Sequence, residues 1–328
     1  MKALPQNAKK PVYQKIAHQY RLRFLRMESH RSLYNPGALR VETDKGIFLL
    51  KPYLRSKQRL AKLSAYMKKL QKAGFAKLPH WRETPSKQRW VEVEGRLFYL
   101  TDWIEGQPFV ADEHHYFLLG QTLAELHLIS RTFTPSVKPV PIAKWKKLHN
   151  SYREFRLHLP KVSKQTSEVG RWFTQHGPHC LTLSAQGWST IQLPRIQRLL
   201  QAEMARPSFI HGDVTTPNLI STSSGLYLID WDFAGIGSAY LELVQALTNT
   251  ADFNIPFLDA ILAGYTEVLP LRPDEKLLIS ALFKLPREAW SVCIRTARKL
   301  PPRAFQPLRQ TWQNRLKAIN WVEEWAYR

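Results

Sequence analysis

The chain has 328 residues, 44% apolar and 12% aromatic, which is enough to bury a sizeable core and too apolar for a disordered segment. Two cysteines, Cys180 and Cys293, exclude a disulfide framework. No apolar run approaches the ~20 residues of a membrane span, and residues 1–6 lack the apolar stretch of a secretory signal, so a reducing, cytoplasmic setting is expected. The 48 Lys and Arg against 26 Asp and Glu leave a charge of +22, which bears on partners and solubility and not on fold.

Residues 1–34 carry eight Lys and Arg against the single acid Glu28. Apolar residues over 12–25 recur near helical spacing, so this segment is expected to be a basic extension packed on the lobe it precedes. Residues 39–43 and 47–51 flank Asp44-Lys45-Gly46 as a hairpin, with Lys51 closing its second strand just before Pro52 interrupts the ladder. Leu60, Leu63, Met67 and Leu70 form one stripe of a helix over 57–73 that stops at Gly74. Residues 90–93 and 97–104 form a third pair of strands around Glu94-Gly95, and Gly106-Gln107-Pro108 then breaks the pattern. A lobe boundary is placed there. The first 34 residues are the extension, 35–104 a small lobe of mainly antiparallel strands, and 105–328 a larger helical lobe.

In the larger lobe Asp112 is a suitable N-cap for a helix whose apolar face is Tyr116, Leu119, Leu123 and Leu126, with His127 at its end as a core hydrogen-bonding group. A linker is expected over 135–141. An interrupted helical region comes next, over 144–204, carrying the basic cluster Lys144, Lys146, Lys147, Arg153, Arg156, Lys161 and Lys164. His176, His179 and Cys180 have a spacing that zinc could use, but no second ligand pair matches them. Further helices are expected over 257–268, 274–285, 287–300 and 305–327.

The stretch 209–232 carries the chemistry. An apolar approach leads into His211-Gly212-Asp213-Val214-Thr215-Thr216-Pro217-Asn218, and two short apolar runs lie on either side of Ser223-Ser224-Gly225. That is a hairpin with a three-residue turn. Counting outward from Ser224 sets Asn218 opposite Asp230, with Asp213 five residues upstream. Amide and carboxylate oxygens suit magnesium, which keeps few protein ligands and shares the rest with phosphates and water. Asp213 is then left to take the proton of an attacking hydroxyl. The alternative for these residues is an ordinary polar turn in which Asp213 and Asn218 cap backbone groups.

His211-Gly212-Asp213 with Asn218, then Leu228-Ile229-Asp230-Trp231-Asp232 and Ala234-Gly235-Ile236-Gly237, resembles the catalytic core of the aminoglycoside phosphotransferase and choline kinase group, relatives of protein kinases. Within that group the likeness is nearest to the CotS-type kinase-like proteins of bacterial spore coats. It extends from residue 39 to about 290 and takes in Val41-Glu42-Thr43-Asp44-Lys45-Gly46, Leu100-Thr101-Asp102-Trp103-Ile104-Glu105-Gly106 and Leu123-Ala124-Glu125-Leu126-His127. The resemblance implies a two-lobed α+β protein kinase-like fold and ATP- and magnesium-dependent transfer of a γ-phosphate to a hydroxyl of a small molecule or protein. It implies Lys51 on the α- and β-phosphates, Asn218 and Asp230 on magnesium, and Asp213 on the acceptor hydroxyl. The segment from Thr101 to Ile104 would be the hinge, where the Asp102 carbonyl and the Ile104 amide meet adenine. A spore-coat location and coat-protein partners join the cytoplasm as implied settings.

Three departures stand against the pattern. Between Leu33 and Lys51 only Gly37 and Gly46 occur, so no glycine-rich cradle covers the phosphates. Ser238 stands where the group carries an aspartate, and Glu242 stands in for a second aspartate further on. No Asp or Glu lies between Lys51 and Glu83, so the helix over 57–73 can offer the lysine only Gln58 or Ser64, and weak nucleotide binding with slow turnover is expected. Two other functions stay open: a non-catalytic kinase-like coat component, and a binder of nucleic acid or another anionic macromolecule that uses the basic excess as a surface patch.

Overall fold

The computed structural model describes residues 10–29, 37–132 and 143–328. The first nine residues, residues 30–34 of the basic extension and the linker expected over 135–141 lie outside them. Two compact units result: one of the described residues up to Pro108 together with Asn218–Ala234, the other of Phe109–Pro217 and Gly235–Arg328.

The first unit is built on a five-stranded antiparallel sheet. Helix α1 (Lys10–Tyr20) precedes β1 (Phe24–Ser29), β2 (Leu39–Thr43) and β3 (Gly46–Tyr53); α2 (Lys57–Lys72) leads to β4 (Trp90–Val93) and β5 (Arg96–Asp102), in the order β1-β2-β3-β5-β4. Ile16 and Tyr20 of α1 pack with Val41, Phe48, Leu50, Val91, Phe98 and Leu100 in one core. The helical reading of 12–25 therefore holds only to Tyr20. Arg21 turns left-handed at φ 52°, and β1 comes after it as a mostly exposed edge strand whose apolar positions carry little period. Strand β3 also runs two residues past its expected end. Pro52 pairs with Phe98 of β5, and its missing N–H costs nothing because pairing with β2 has already ended at Leu50. Helix α2 buries the expected Leu60, Leu63, Met67 and Leu70 and is capped by Ser56, whose Oγ accepts from the Arg59 amide at 3.4 Å.

Strand β6 (Gln107–Pro108) joins β8 (Leu219–Thr222) and β9 (Gly225–Leu228) in a second small sheet of this unit. The hairpin β8-β9 closes over two residues, not three. Thr222 Oγ1 accepts from the Ser224 amide at 3.1 Å and donates to the Gly225 carbonyl at 2.9 Å, so Gly225, at φ +114°, pairs with Thr222. The β2-β3 turn uses the same device, with Thr43 bonded to Lys45 and Gly46. The shorter turn shifts the count by one. Leu219 faces Leu228, which puts Asn218 across from Ile229 and not from Asp230, and the Ile229 amide donates to the Asn218 carbonyl at 2.9 Å.

The second unit is helical: α3 (Glu113–Ser130), α4 (Ala143–Val162), α5 (Glu168–Ile191), α6 (Pro194–Ala205), α7 (Ala239–Asn249), α8 (Ile255–Val268), α9 (Pro273–Lys284), α10 (Arg287–Ala297) and α11 (Phe305–Tyr327). Asp112 caps α3 as expected, its Oδ1 accepting from the His115 amide at 2.8 Å. Two short strands, β7 (Ser208–Ile210) and β10 (Gly235–Gly237), pair antiparallel on either side of the hairpin's sequence. His176 lies against Trp172 and Trp312, His179 against Trp312, and Cys180 is buried; no cluster of three His, Cys, Asp or Glu able to hold a metal occurs among the described residues. None of the described helices is long and apolar enough to cross a membrane.

Candidate functional site

Lys51 sits two residues before the end of β3, opposite Tyr99 on β5, and is only 3% exposed. A buried ammonium needs a counter-charge, and the sequence between Lys51 and Glu83 has none to give. The structure supplies it from the far end of the hairpin. Lys51 Nζ lies 2.6 Å from Asp230 Oδ1 and 3.0 Å from Asp232 Oδ2. The expectation of a lysine without a carboxylate partner is thereby corrected. Gln58 is exposed and Ser64 half-buried on α2. The neighbouring cations are engaged elsewhere: Lys57 with Glu92 at 2.7 Å, and Arg55 stacked 4.4 Å over Phe233.

Two carboxylates two residues apart reach one ammonium because of how the chain leaves β9. Asp230 takes the left-handed conformation (φ 60°, ψ 63°), which aspartate tolerates better than most side chains, and leads into a single 3-10 turn over Trp231–Phe233. Trp231 anchors that turn, with its indole donating to the Leu228 carbonyl at 2.8 Å and its ring edge-on to Phe75. Tyr99 completes the cluster by donating to Asp232 Oδ1 at 2.7 Å and stacking on Trp81. Burial, and then the Asp232 charge, push its hydroxyl well above the usual tyrosine range. One cation against two carboxylates leaves a net negative charge. Among the described residues the Asp230 side chain bonds only Lys51, through Oδ1, so its second oxygen is available to a divalent cation. The donor chemistry of Asn218 and Asp230 therefore fits magnesium. Asn218 is nine-tenths buried where its 3-10 turn enters β8.

The expected hinge residues end β5. Thr101 is buried, paired with Leu49 and bridged to Trp81. The Asp102 amide donates to the His80 carbonyl at 2.9 Å, and Asp102 Oδ1 lies 2.8 Å from Arg82 Nε. Ile104 is half-buried beyond the strand.

In the second unit the loop carrying Asp213 is held by its backbone. Glu242 of α7 accepts from the His211 amide through Oε2 (3.2 Å) and from the Gly212 amide through Oε1 (2.6 Å), and its Oε2 also meets His127 Nε2 at 3.0 Å. His127 Nδ1 meets Tyr265 Oη at 2.9 Å, so this histidine has the core hydrogen-bonding role its sequence position suggested. Burial alone would raise the Glu242 carboxyl, but the hydrogen bond and charge of His127 and the Gly212 amide outweigh it and hold it below the usual range. Asp213 itself is half-buried, with its amide on His211 Nδ1 at 3.3 Å. Helix α7 was not expected as an element. Its signals were Ser238, which caps it by accepting from the Leu241 amide at 3.2 Å, and the run of apolar residues after it.

The chain matches the family described as "Phosphotransferase enzyme family" over residues 30–277. A thiamine kinase of Escherichia coli is 42% identical over 69 residues, a match covering 20% of this chain and 24% of that protein. In fold, an aminoglycoside phosphotransferase from Alicyclobacillus acidocaldarius superposes with a TM-score of 0.85 at 16% identity, covering 100% of this chain and 97% of the other. A spectinomycin phosphotransferase in complex with ADP and spectinomycin superposes with a TM-score of 0.58 at 12% identity, covering 96% and 93%.

Proposed function

The chain belongs to the phosphotransferase enzyme family, and we propose that it is an ATP- and magnesium-dependent kinase acting on a hydroxyl of a small molecule. The observation that carries this reading is the buried Lys51 ammonium held by both Asp230 and Asp232, one carboxylate more than the lysine needs and one that a metal cation would offset. In this reading the unit up to Pro108 is the nucleotide lobe. Lys51 takes the α- and β-phosphates, and the strand end from Thr101 to Ile104 presents its backbone to adenine. A magnesium ion held by Asn218 and Asp230 would neutralise the developing charge on the phosphates. Asp213, fixed through its neighbours' amides by Glu242, accepts the hydroxyl proton.

The spore coat stays beside the cytoplasm as a place of action, on the likeness to spore-coat kinase-like proteins, and a non-catalytic coat component is the second reading. What favours the second is that Lys51 already has two partners of its own. Calorimetric titration with ATP, with and without magnesium, separates the two. The kinase reading expects magnesium-dependent binding that Lys51→Met weakens ~10-fold or more, the loss of a charge-assisted contact. No binding at millimolar ATP would select the coat reading.

A further inference from the structure

A stripe of three polar side chains runs along α7, and each holds something different. Glu242 grips the His211 and Gly212 amides. Three residues on, Gln245 Oε1 accepts from Lys144 Nζ at 3.2 Å, and three further on, Thr248 Oγ1 accepts from Arg287 Nη2 at 3.0 Å. Steps of three residues keep the side chains on one face, about 4.5 Å apart along the axis.

Lys144 and Arg287 are both half-buried, yet an amide oxygen and a hydroxyl are their partners. Among the described residues neither cation is within salt-bridge distance of a carboxylate. Glu288, next to Arg287 in sequence, acts on it only through its charge, its hydrogen bond going to Arg315 Nη1 at 2.8 Å, and Glu242 is taken by the loop and His127. Taking a cation out of water without a counter-ion is costly, and neutral oxygens recover only part of it. Burial pulls the Lys144 ammonium below the usual lysine range. Of its charged neighbours, Glu242 and Asp213 act to raise it, while Arg287 and Lys147 lower it further. Lys144 is thus turned inward, onto Gln245, and does not join the surface patch expected of the 144–164 cluster.

We propose that Lys144 and Arg287, presented by Gln245 and Thr248, form an acceptor subsite for a negatively charged group, so that the hydroxyl phosphorylated here belongs to a molecule bearing a carboxylate or a phosphate. This inference rests on the kinase reading for its link to Asp213, but the anion subsite is testable without turnover. The carboxylate or phosphate that neither cation contacts directly within the chain is then supplied by the substrate. A cationic alcohol is disfavoured by the same two charges.

The test uses the full chain with the nucleotide site filled by AMP-PNP and magnesium, and titrates inorganic phosphate, gluconate, glucose 6-phosphate, glucose, choline and thiamine by calorimetry. At least one anionic probe is expected to bind below about 10 mM, with glucose and the cationic alcohols weaker. Lys144→Met and Arg287→Met are each expected to weaken that binding ~10-fold or more, while Lys144→Arg retains it and ATP affinity is unchanged in all three. Matched thermal melts check that the variants fold. Failure of every anionic probe to bind, equal binding in the folded Met variants, or preferential phosphorylation of choline or thiamine would each overturn the subsite. If the anion binds and loses affinity in the Met variants while wild-type protein binds no ATP, the subsite stands and the kinase reading falls.

Discussion

Two sites, one in each unit, handle buried charge in opposite ways. In the first, Lys51 is enclosed by Asp230 and Asp232, with Tyr99 donating to one of them, so the ionised groups satisfy each other. In the second, Glu242 satisfies backbone amides and a histidine, and the cations Lys144 and Arg287 rest on neutral oxygens. The difference teaches where each unit has unfinished electrostatics. The first has a surplus of negative charge beside its lysine, which suits a metal cation. The second has two half-buried cations whose hydrogen bonds go to neutral oxygens, the arrangement proposed above to suit an anionic acceptor.

The largest expected effect comes from Asp213, the proposed proton acceptor. Asp213→Asn keeps the volume and the loop's bonds to Glu242, so nucleotide binding should stay nearly intact. Turnover should fall ~10²–10⁴-fold, the usual contribution of a general base. Steady-state kinetics alongside ATP titration checks this; equal turnover would remove Asp213 from the proton-transfer role.

Glu242→Ala attacks the second unit's arrangement at its root. It leaves the His211 and Gly212 amides and His127 without their shared acceptor at a site only 1% exposed. The expected cost is roughly 3–5 kcal/mol of stability, as for breaking a buried pair, with Asp213 displaced as a consequence. Denaturant unfolding measures it. A loss under ~1 kcal/mol, the size of a single ordinary hydrogen bond, would mean that the loop holds its shape without α7.

How far the sequence carried this comparison depends on the reach of each signal. The α2 stripe, the Asp112 cap and the motif 209–232 were legible because they are local: a period, a cap residue and a run of polar types. The partner of Lys51 was not, because it lies 179 residues away and sits two positions before a second, equally placed aspartate. The hairpin count missed by one residue because Ser223-Ser224-Gly225 fits a three-residue turn as well as a two-residue one, and the Thr222 hydroxyl decides between them. Helix α7 was hidden by its own burial. Ala239, Tyr240, Leu241, Glu242, Leu243 and Val244 are all buried, and the polar residues that do recur, Glu242, Gln245 and Thr248, hold interior partners, so the segment reads as an apolar run without a solvent face. Lys144 looked like one more basic surface residue, since nothing near it in sequence tells that Gln245 will draw it inward.

A smaller effect sharpens the contrast at the other side of α7. Glu203 on α6 is 8% exposed, accepts from Ser238 Oγ at 2.8 Å through Oε1, and has a buried Oε2 with no hydrogen-bond partner. Here the Tyr240 and Ala239 amides and the Arg131 charge favour the carboxylate but do not offset its burial. Burial pushes its carboxyl up to about 7, against the opposing pull of the Ser238 hydroxyl. Because the folded value lies above the unfolded one, the native state holds the extra proton between roughly pH 4.5 and 7, so stability falls as pH rises through that window and is flat above it. The full difference corresponds to up to about 3 kcal/mol. Glu203→Gln removes the titration, keeps an oxygen for Ser238, and should raise the melting temperature at pH 8 while leaving it little changed at pH 4.5. Melting curves for both proteins from pH 4.5 to 8 decide it. Parallel curves would show that Glu203 carries its charge at no cost, and that the second unit compensates buried acids as fully as the first compensates Lys51.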